Sequence, residues 1–237
     1  MLNFNSIYQR YANTSINWLP MDTEDLFNKN LIEQKILLEK NNWVNNPFTY
    51  TFNSQGFRCK EFTNTSTAMF LGCSYTVGVG LPTDKIWAEL VSKQLNMSCA
   101  NLGQGGGSAD TAFRLCLGWI DKIKPKIVIF LKPPGIRWEL VNNQKIEFLG
   151  VNEHNLMHPS YMREYWRDDN NDYFNVQKNI FALQHLCQQR QIKFLTFDHM
   201  PKNDPDDFAR DLAHSGINTH QQFANDVLEK INGTSTG

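Results

Sequence analysis

The chain lacks an excess of charge of either sign: 23 Lys and Arg stand against 24 Asp and Glu in 237 residues. A nucleic-acid surface shows a basic excess on one face, so no nucleic-acid partner is expected. No run of about 18 apolar residues occurs, so no membrane-spanning helix is expected either. The opening MLNFNSIYQRYANTS lacks the charged-then-apolar pattern of a signal peptide. Cysteine is sparse, with 5 scattered residues and no C-x-x-C pair, which argues against a disulfide framework or structural zinc. These absences together imply a reduced, cytoplasmic protein. Internal repeats, low-complexity tracts and a G-K-[ST] P-loop signature are missing as well.

What is present suits one large α/β domain: 41% of the residues are hydrophobic and 12% aromatic. Residues 1–50 are polar and Asn-rich and read as an N-terminal extension, with one helix over DTEDLFNKNLIEQKILLEK behind an Asp-Thr cap signal. From residue 51 to 237 the pattern is regular. AMFLG (68–72), SCANLG (98–103), KIVIFLK (126–132) and QIKFLTF (191–197) read as buried strands. Helical spacing covers 83–95, 108–123, 172–190 and 216–231. Alternation of this kind predicts a parallel sheet with helices on both faces, a three-layer α/β/α sandwich. Ligands of such sheets bind beyond the carboxyl ends of the strands. The stretch from about 140 to 171, dense in His, Tyr, Trp and charge, is too long for a simple connection and reads as an insert or flap.

Three stretches at those strand ends carry chemistry, and each also has a purely structural use. In FLGCSYT, Gly72 allows a sharp turn that exposes the Ser74 hydroxyl, although a serine after a strand also serves as a turn or cap residue. In NLGQGGGSAD, Gly105 or Gly106 offers a backbone N–H to an oxyanion, or else the run is a tight strand-to-helix turn. It is near the dinucleotide fingerprint, but Ser108 stands where a third glycine belongs and no acidic residue follows the next strand. In DLAHSGINTH, Asp211 can orient the His214 imidazole through Nδ1 and leave Nε2 as a base; a local salt bridge is the alternative.

The ordered set resembles the SGNH (GDSL-type) hydrolase family, over roughly residues 50 to 232. GCSYTVG is similar to the first block, with Cys73 where the commonest form has Asp; NLGQGGGSAD to the second; DLAHSGINTH to the last; and NSQGFRCKEF (53–62) to a lead-in found in many bacterial members. The resemblance implies a flavodoxin-like fold, ester hydrolysis without metal or organic cofactor, a Ser74–His214–Asp211 triad, and an oxyanion hole from the amides of Ser74 and Gly106. It departs from the family at the third block, whose Asn is absent: the strand runs into FLKPPGIRWEL. Arg137 or the Gly135 amide are the candidates to replace that donor, with Gly105 as further support, while Arg137 beside Trp138 and Glu139 equally suits a structural ion pair.

The implied substrate is a small or carbohydrate O-acyl (acetyl) ester, since a mean hydropathy of −0.46 and no greasy lid disfavour long acyl chains. Two other classes stay open, a non-catalytic binding module on the same fold and a nucleotide- or flavin-binding flavodoxin-like protein using Gly103–Gly107. His154 and His158 have i, i+4 spacing but no evident third ligand, so no metal is expected. Asp198 and His199 follow the fourth strand, His220 reads as a packing or capping residue, and Tyr161, Tyr165, Trp166 and Tyr173 suit either a sugar or a dimer contact. Composition does not decide the oligomeric state.

Overall fold

The computed structural model describes residues 3–63, 65–133, 137–142, 145–149, 169–198, 200 and 205–233. The chain begins with a short strand β1 (Ser15–Ile16), helices α1 (Glu24–Glu33) and α2 (Lys35–Lys40), and β2 (Tyr50–Thr51), which pairs antiparallel with β1. The expected helix over 22–40 starts at its cap signal, where Thr23 Oγ1 accepts from the Leu26 N–H. It breaks at Gln34, whose backbone leaves the helical region. Then come β3 (Thr67–Leu71), a one-turn helix α3 (Ser74–Val77), α4 (Trp87–Gln94), β4 (Ser98–Asn101), α5 (Ala109–Ile123) and β5 (Ile127–Leu131). A hairpin of β6 (Trp138–Asn142) and β7 (Lys145–Leu149) precedes α6 (Asp169–Gln188), β8 (Lys193–Phe197) and α7 (Ile217–Gly233). Each strand and helix expected beyond residue 50 is present. The largest shift is at α4, where residues 83–85 form a 3-10 turn and Ile86 is extended.

Strands β4, β3, β5 and β8 lie side by side in that order, all parallel. Both faces of β3 and β5 are covered, which is why these strands read as unbroken apolar runs. Met69, Leu71, Val128 and Phe130 point into a core with Leu115 and Ile120 of α5 and Leu183 of α6. Ala68, Phe70, Ile127 and Ile129 point the other way, onto Trp87 and Val91 of α4 and Phe223 and Val227 of α7. The result is a three-layer α/β/α sandwich with strand order second-first-third-fourth. Its switch point lies between β3 and β5, where the strand order reverses, so the crevice opens beyond the carboxyl end of β3. Ser74 follows that end, and the glycine run follows the carboxyl end of β4 beside it.

The first fifty residues share two hydrophobic clusters with this domain. Tyr8, Leu19, Tyr50 and Phe52 pack against Val77 and Val79, and Leu38 and Trp43 pack against Leu81, Ile86 and Ala209. The expected flap begins as the β6–β7 hairpin, which Glu139 fastens to α5 through a bidentate pair with Arg114, at 2.5 and 3.1 Å. Residues 150–168, with His154, His158, Tyr161, Tyr165 and Trp166, lie outside the described residues, as do Gly135 and His199. No helix among the described residues is long and apolar enough to cross a membrane.

Candidate active site

Strand β3 ends at Leu71, and the chain turns within three residues to begin α3 at Ser74. Gly72 (φ 154°) makes the turn possible: a Cβ there would lie 2.9 Å from the Leu131 carbonyl at the end of β5. Helix α3 is a single turn, with the Thr76 and Val77 N–H groups donating to Cys73 O. The Ser74 N–H precedes any intrahelical acceptor and finds no other among the described residues. One turn of helix does not hold itself, and two side chains hold it. Asn101 Nδ2 donates to Thr76 O at 2.7 Å. Arg58 donates to the carbonyls of Val77, Gly78 and Leu81 at 3.0, 2.5 and 2.5 Å. Its guanidinium also lies 4.3 Å from the centre of the Tyr50 ring. Burial pulls the Arg58 pKa down to about 10, so it remains a cation at neutral pH.

The glycine run is tied to the same turn. Gln104 N–H donates to Gly72 O at 3.1 Å, and Asn101 Oδ1 accepts from Gly103 N–H at 3.0 Å. Ser108 and Thr111 close a reciprocal capping box that starts α5. From the N-terminal segment, Tyr8 places its hydroxyl on the run and accepts the Gly105 N–H at 3.0 Å. Burial pushes that phenol up to about 12, so it stays neutral. Gln104 Oε1 in turn accepts from Ile7 N–H and Ser6 Oγ. Of the two glycines expected as donors, Gly105 therefore spends its N–H on Tyr8. Gly106 (φ 73°) keeps its own free of any acceptor among the described residues.

Asp211 and His214 lie on a tight turn ahead of α7. Asp211 Oδ1 accepts the N–H groups of Ala213 and His214 at 3.1 and 3.0 Å, and Oδ2 meets His214 Nδ1 at 2.5 Å. Leu212 between them takes positive φ (54°), which bends the chain back onto its own carboxylate. The pair is buried, and its ring fits the orienting arrangement expected from the three-residue spacing. The turn is fastened to the loop after α3: Arg210 N–H donates to Gly80 O at 3.0 Å. Gly80 (φ 78°) passes so close that a Cβ would sit 2.7 Å from Ala209 Cβ. Behind it, Arg210 pairs with buried Asp22 at 2.7 Å between the rings of Trp18 and Phe48. The Tyr50 hydroxyl donates to Asp22 and accepts from Gly80 N–H.

The structure thus brings His214 to Ser74's neighbour: the imidazole stands edge-on to the Tyr75 ring, centroids 5.1 Å apart. No hydrogen bond joins Ser74 Oγ to His214 Nε2 among the described residues. Such bonds are often long in unliganded sites and tighten around substrate. Arg137 departs from the ion-pair alternative. Glu139 is taken by Arg114, and Arg137 Nη1 is buried with no hydrogen-bond partner. His220 is structural: its Nδ1 accepts the Trp87 N–H at 3.1 Å, and burial lowers its pKa to about 3. Asp198 pairs with Lys132 at the edge of the sheet.

Several residues that build the site are not evident from its motifs. Arg58 and Asn101 lie within NSQGFRCKEF and NLGQGGGSAD, but nothing local in the sequence marks either as a support of the turn. Tyr8 had no local signal and Asp22 only that of a helix cap, because the partners they find are 97 and 188 residues away.

No family model and no curated protein matches the chain. Solved structures it is similar to include a lipolytic protein of the G-D-S-L family from Desulfitobacterium hafniense, at 15% identity over 71% of this chain and 74% of that one, with a TM-score of 0.38. TesA matches at 15% identity over 70% and 74%, with a TM-score of 0.40. An acetyl xylan esterase from the rumen bacterium Butyrivibrio proteoclasticus matches at 12% identity over 71% and 64%, with a TM-score of 0.39. At these scores the chemistry of the site rests on its own geometry.

Proposed function

We propose that the chain is a serine esterase of the SGNH (GDSL) type, acting on small or carbohydrate O-acyl esters, acetyl esters foremost. The observation that carries this is the Asp211–His214 pair held against Tyr75, one residue from Ser74. Asp211 accepts the Nδ1 hydrogen and fixes the tautomer in which Nε2 carries a lone pair. His214 takes the Ser74 proton as Oγ attacks the ester carbonyl. Charge develops on the carbonyl oxygen, and the free N–H groups of Ser74 and Gly106 are the donors for it. The imidazolium then protonates the leaving alcohol. Water, deprotonated by the same Nε2, attacks the acyl-serine and releases the acid and the free serine.

A second reading, a binding module on the same fold, is favoured by two observations: the missing Ser74–His214 hydrogen bond and the run Lys132-Pro133-Pro134 where the family's Asn belongs. Hydrolysis of p-nitrophenyl esters of increasing chain length separates the two. The esterase reading requires turnover of the acetate that falls to the uncatalysed rate in Ser74→Ala. Turnover that survives this change, or none in the wild type, supports the module.

A further inference from the structure

Arg137 lies immediately ahead of β6, on the connection that leaves the carboxyl end of β5, and its near neighbour Glu139 is anchored. Glu139 N–H donates to Asp110 in the first turn of α5, and the Glu139 carboxylate is held by Arg114. The Arg137 guanidinium has no protein partner among the described residues. Its Nη1 is buried without a hydrogen bond, and no carboxylate pairs with it among the described residues. The nearby acids are all committed: Asp211 to His214 and two backbone amides, Asp110 to Asn175, Asn179 and the Glu139 N–H, Glu139 to Arg114. Burial, Cys73 and Asp211 raise the Tyr75 pKa and the Arg137 charge opposes them, so Arg137 is within electrostatic reach of the ring that faces His214. A buried guanidinium nitrogen without an acceptor is costly and calls for an anion. An anion arriving with the substrate would supply one.

We propose that Arg137 is a specificity residue that binds a carboxylate carried by the ester substrate, so that the site takes singly charged acidic esters. A single negative charge is the match because Arg137 is alone: Lys132, on the same segment, is already paired with Asp198. Guanidinium and carboxylate are both planar, and their charge-assisted hydrogen bonds are among the stronger ones in proteins. This deepens the esterase reading and rests on it for the place of the scissile bond.

The test is calorimetric titration of the Ser74→Ala protein with monomethyl succinate and with its neutral counterpart dimethyl succinate, where no turnover intervenes. Monomethyl succinate is expected to bind about ten- to a hundredfold more tightly. Arg137→Gln should abolish the preference and Arg137→Lys should retain part of it. Because the Arg137 side chain makes no hydrogen bond among the described residues, neither change unpairs a protein group there, and the melting temperature should stay near that of the parent. Equal affinities, a preference that survives Arg137→Gln, or binding of neither ester overturns the proposal. Failure of the esterase reading shows separately, as absence of Ser74-dependent hydrolysis by the wild type.

Discussion

Replacing Asp211 by Asn tests the orientation of the base, and the structure dictates how the new side chain sits. Asp211 Oδ1 accepts two backbone N–H groups, so the amide oxygen of Asn must occupy that position. The amide nitrogen is then left facing His214 Nδ1, where Oδ2 was. An N–H donor there forces Nδ1 to accept, which moves the imidazole hydrogen to Nε2. The base toward Ser74 is lost although no atom has been removed. In other serine hydrolases a wrong tautomer of this kind lowers kcat by about 10⁴-fold, and the same size of effect is expected here with the turn intact. Stability should fall by only about 1–2 kcal/mol, since neutral hydrogen bonds replace charged ones. The assay is p-nitrophenyl acetate hydrolysis, with a thermal melt to show that the fold survives. A folded Asp211→Asn protein retaining a tenth or more of wild-type kcat would refute the assigned role of Asp211.

Tyr8→Phe keeps the ring on Phe52 but strips the Gly105 N–H of its acceptor. A loss of about 1–3 kcal/mol is expected in denaturant titration, together with a fall in kcat as the glycine turn loosens. Arg58→Met leaves the Val77 and Leu81 carbonyls without donors and takes one of two from Gly78 O, and should cost about 3 kcal/mol in the same titration. His220 is neutral when folded, with a pKa near 3 against 6.5 when unfolded. The unfolded chain therefore binds the proton first as pH falls. The stability from this group is complete above pH 6.5 and is lost on acidification toward 3, by about 2 kcal/mol at pH 5. His220→Asn, whose carbonyl can accept the Trp87 N–H, should be less acid-sensitive between pH 7 and 5; an identical slope would refute the assignment.

The sandwich was legible because burial on both faces writes itself into the strands. KIVIFLK leaves no polar face, and β5 accordingly lies in the middle of the sheet with helices on either side. The elements of the site were legible for a related reason: Gly72 and the glycine run sit at strand ends, where backbone geometry restricts the residue type. Asp211 and His214 interact across three residues, a separation that sequence spacing can encode. What the chain did not disclose are contacts between distant segments. Polarity in the first fifty residues read as an N-terminal extension, yet Tyr8, Asp22 and Trp43 point inward to hold the glycine run and the turn before Asp211. The three stretches expected to carry chemistry are tied to one another by backbone bonds, Gln104 to Gly72 and Arg210 to Gly80, that any residue could make. Sequence has no way to mark such bonds. Of the two alternatives left open for Arg137, the ion pair rested on Glu139 being near in sequence, whereas Glu139 pairs with Arg114 on α5.

The central claim is that Ser74 is an activated nucleophile. Labelling with a fluorophosphonate probe, followed by mass spectrometry of the modified peptide, addresses it directly, because such probes react with serines served by a base and oxyanion donors. A single modification is expected at Ser74, and it should disappear in His214→Ala. An unlabelled Ser74 in folded protein, or labelling that persists without His214, would contradict the claim.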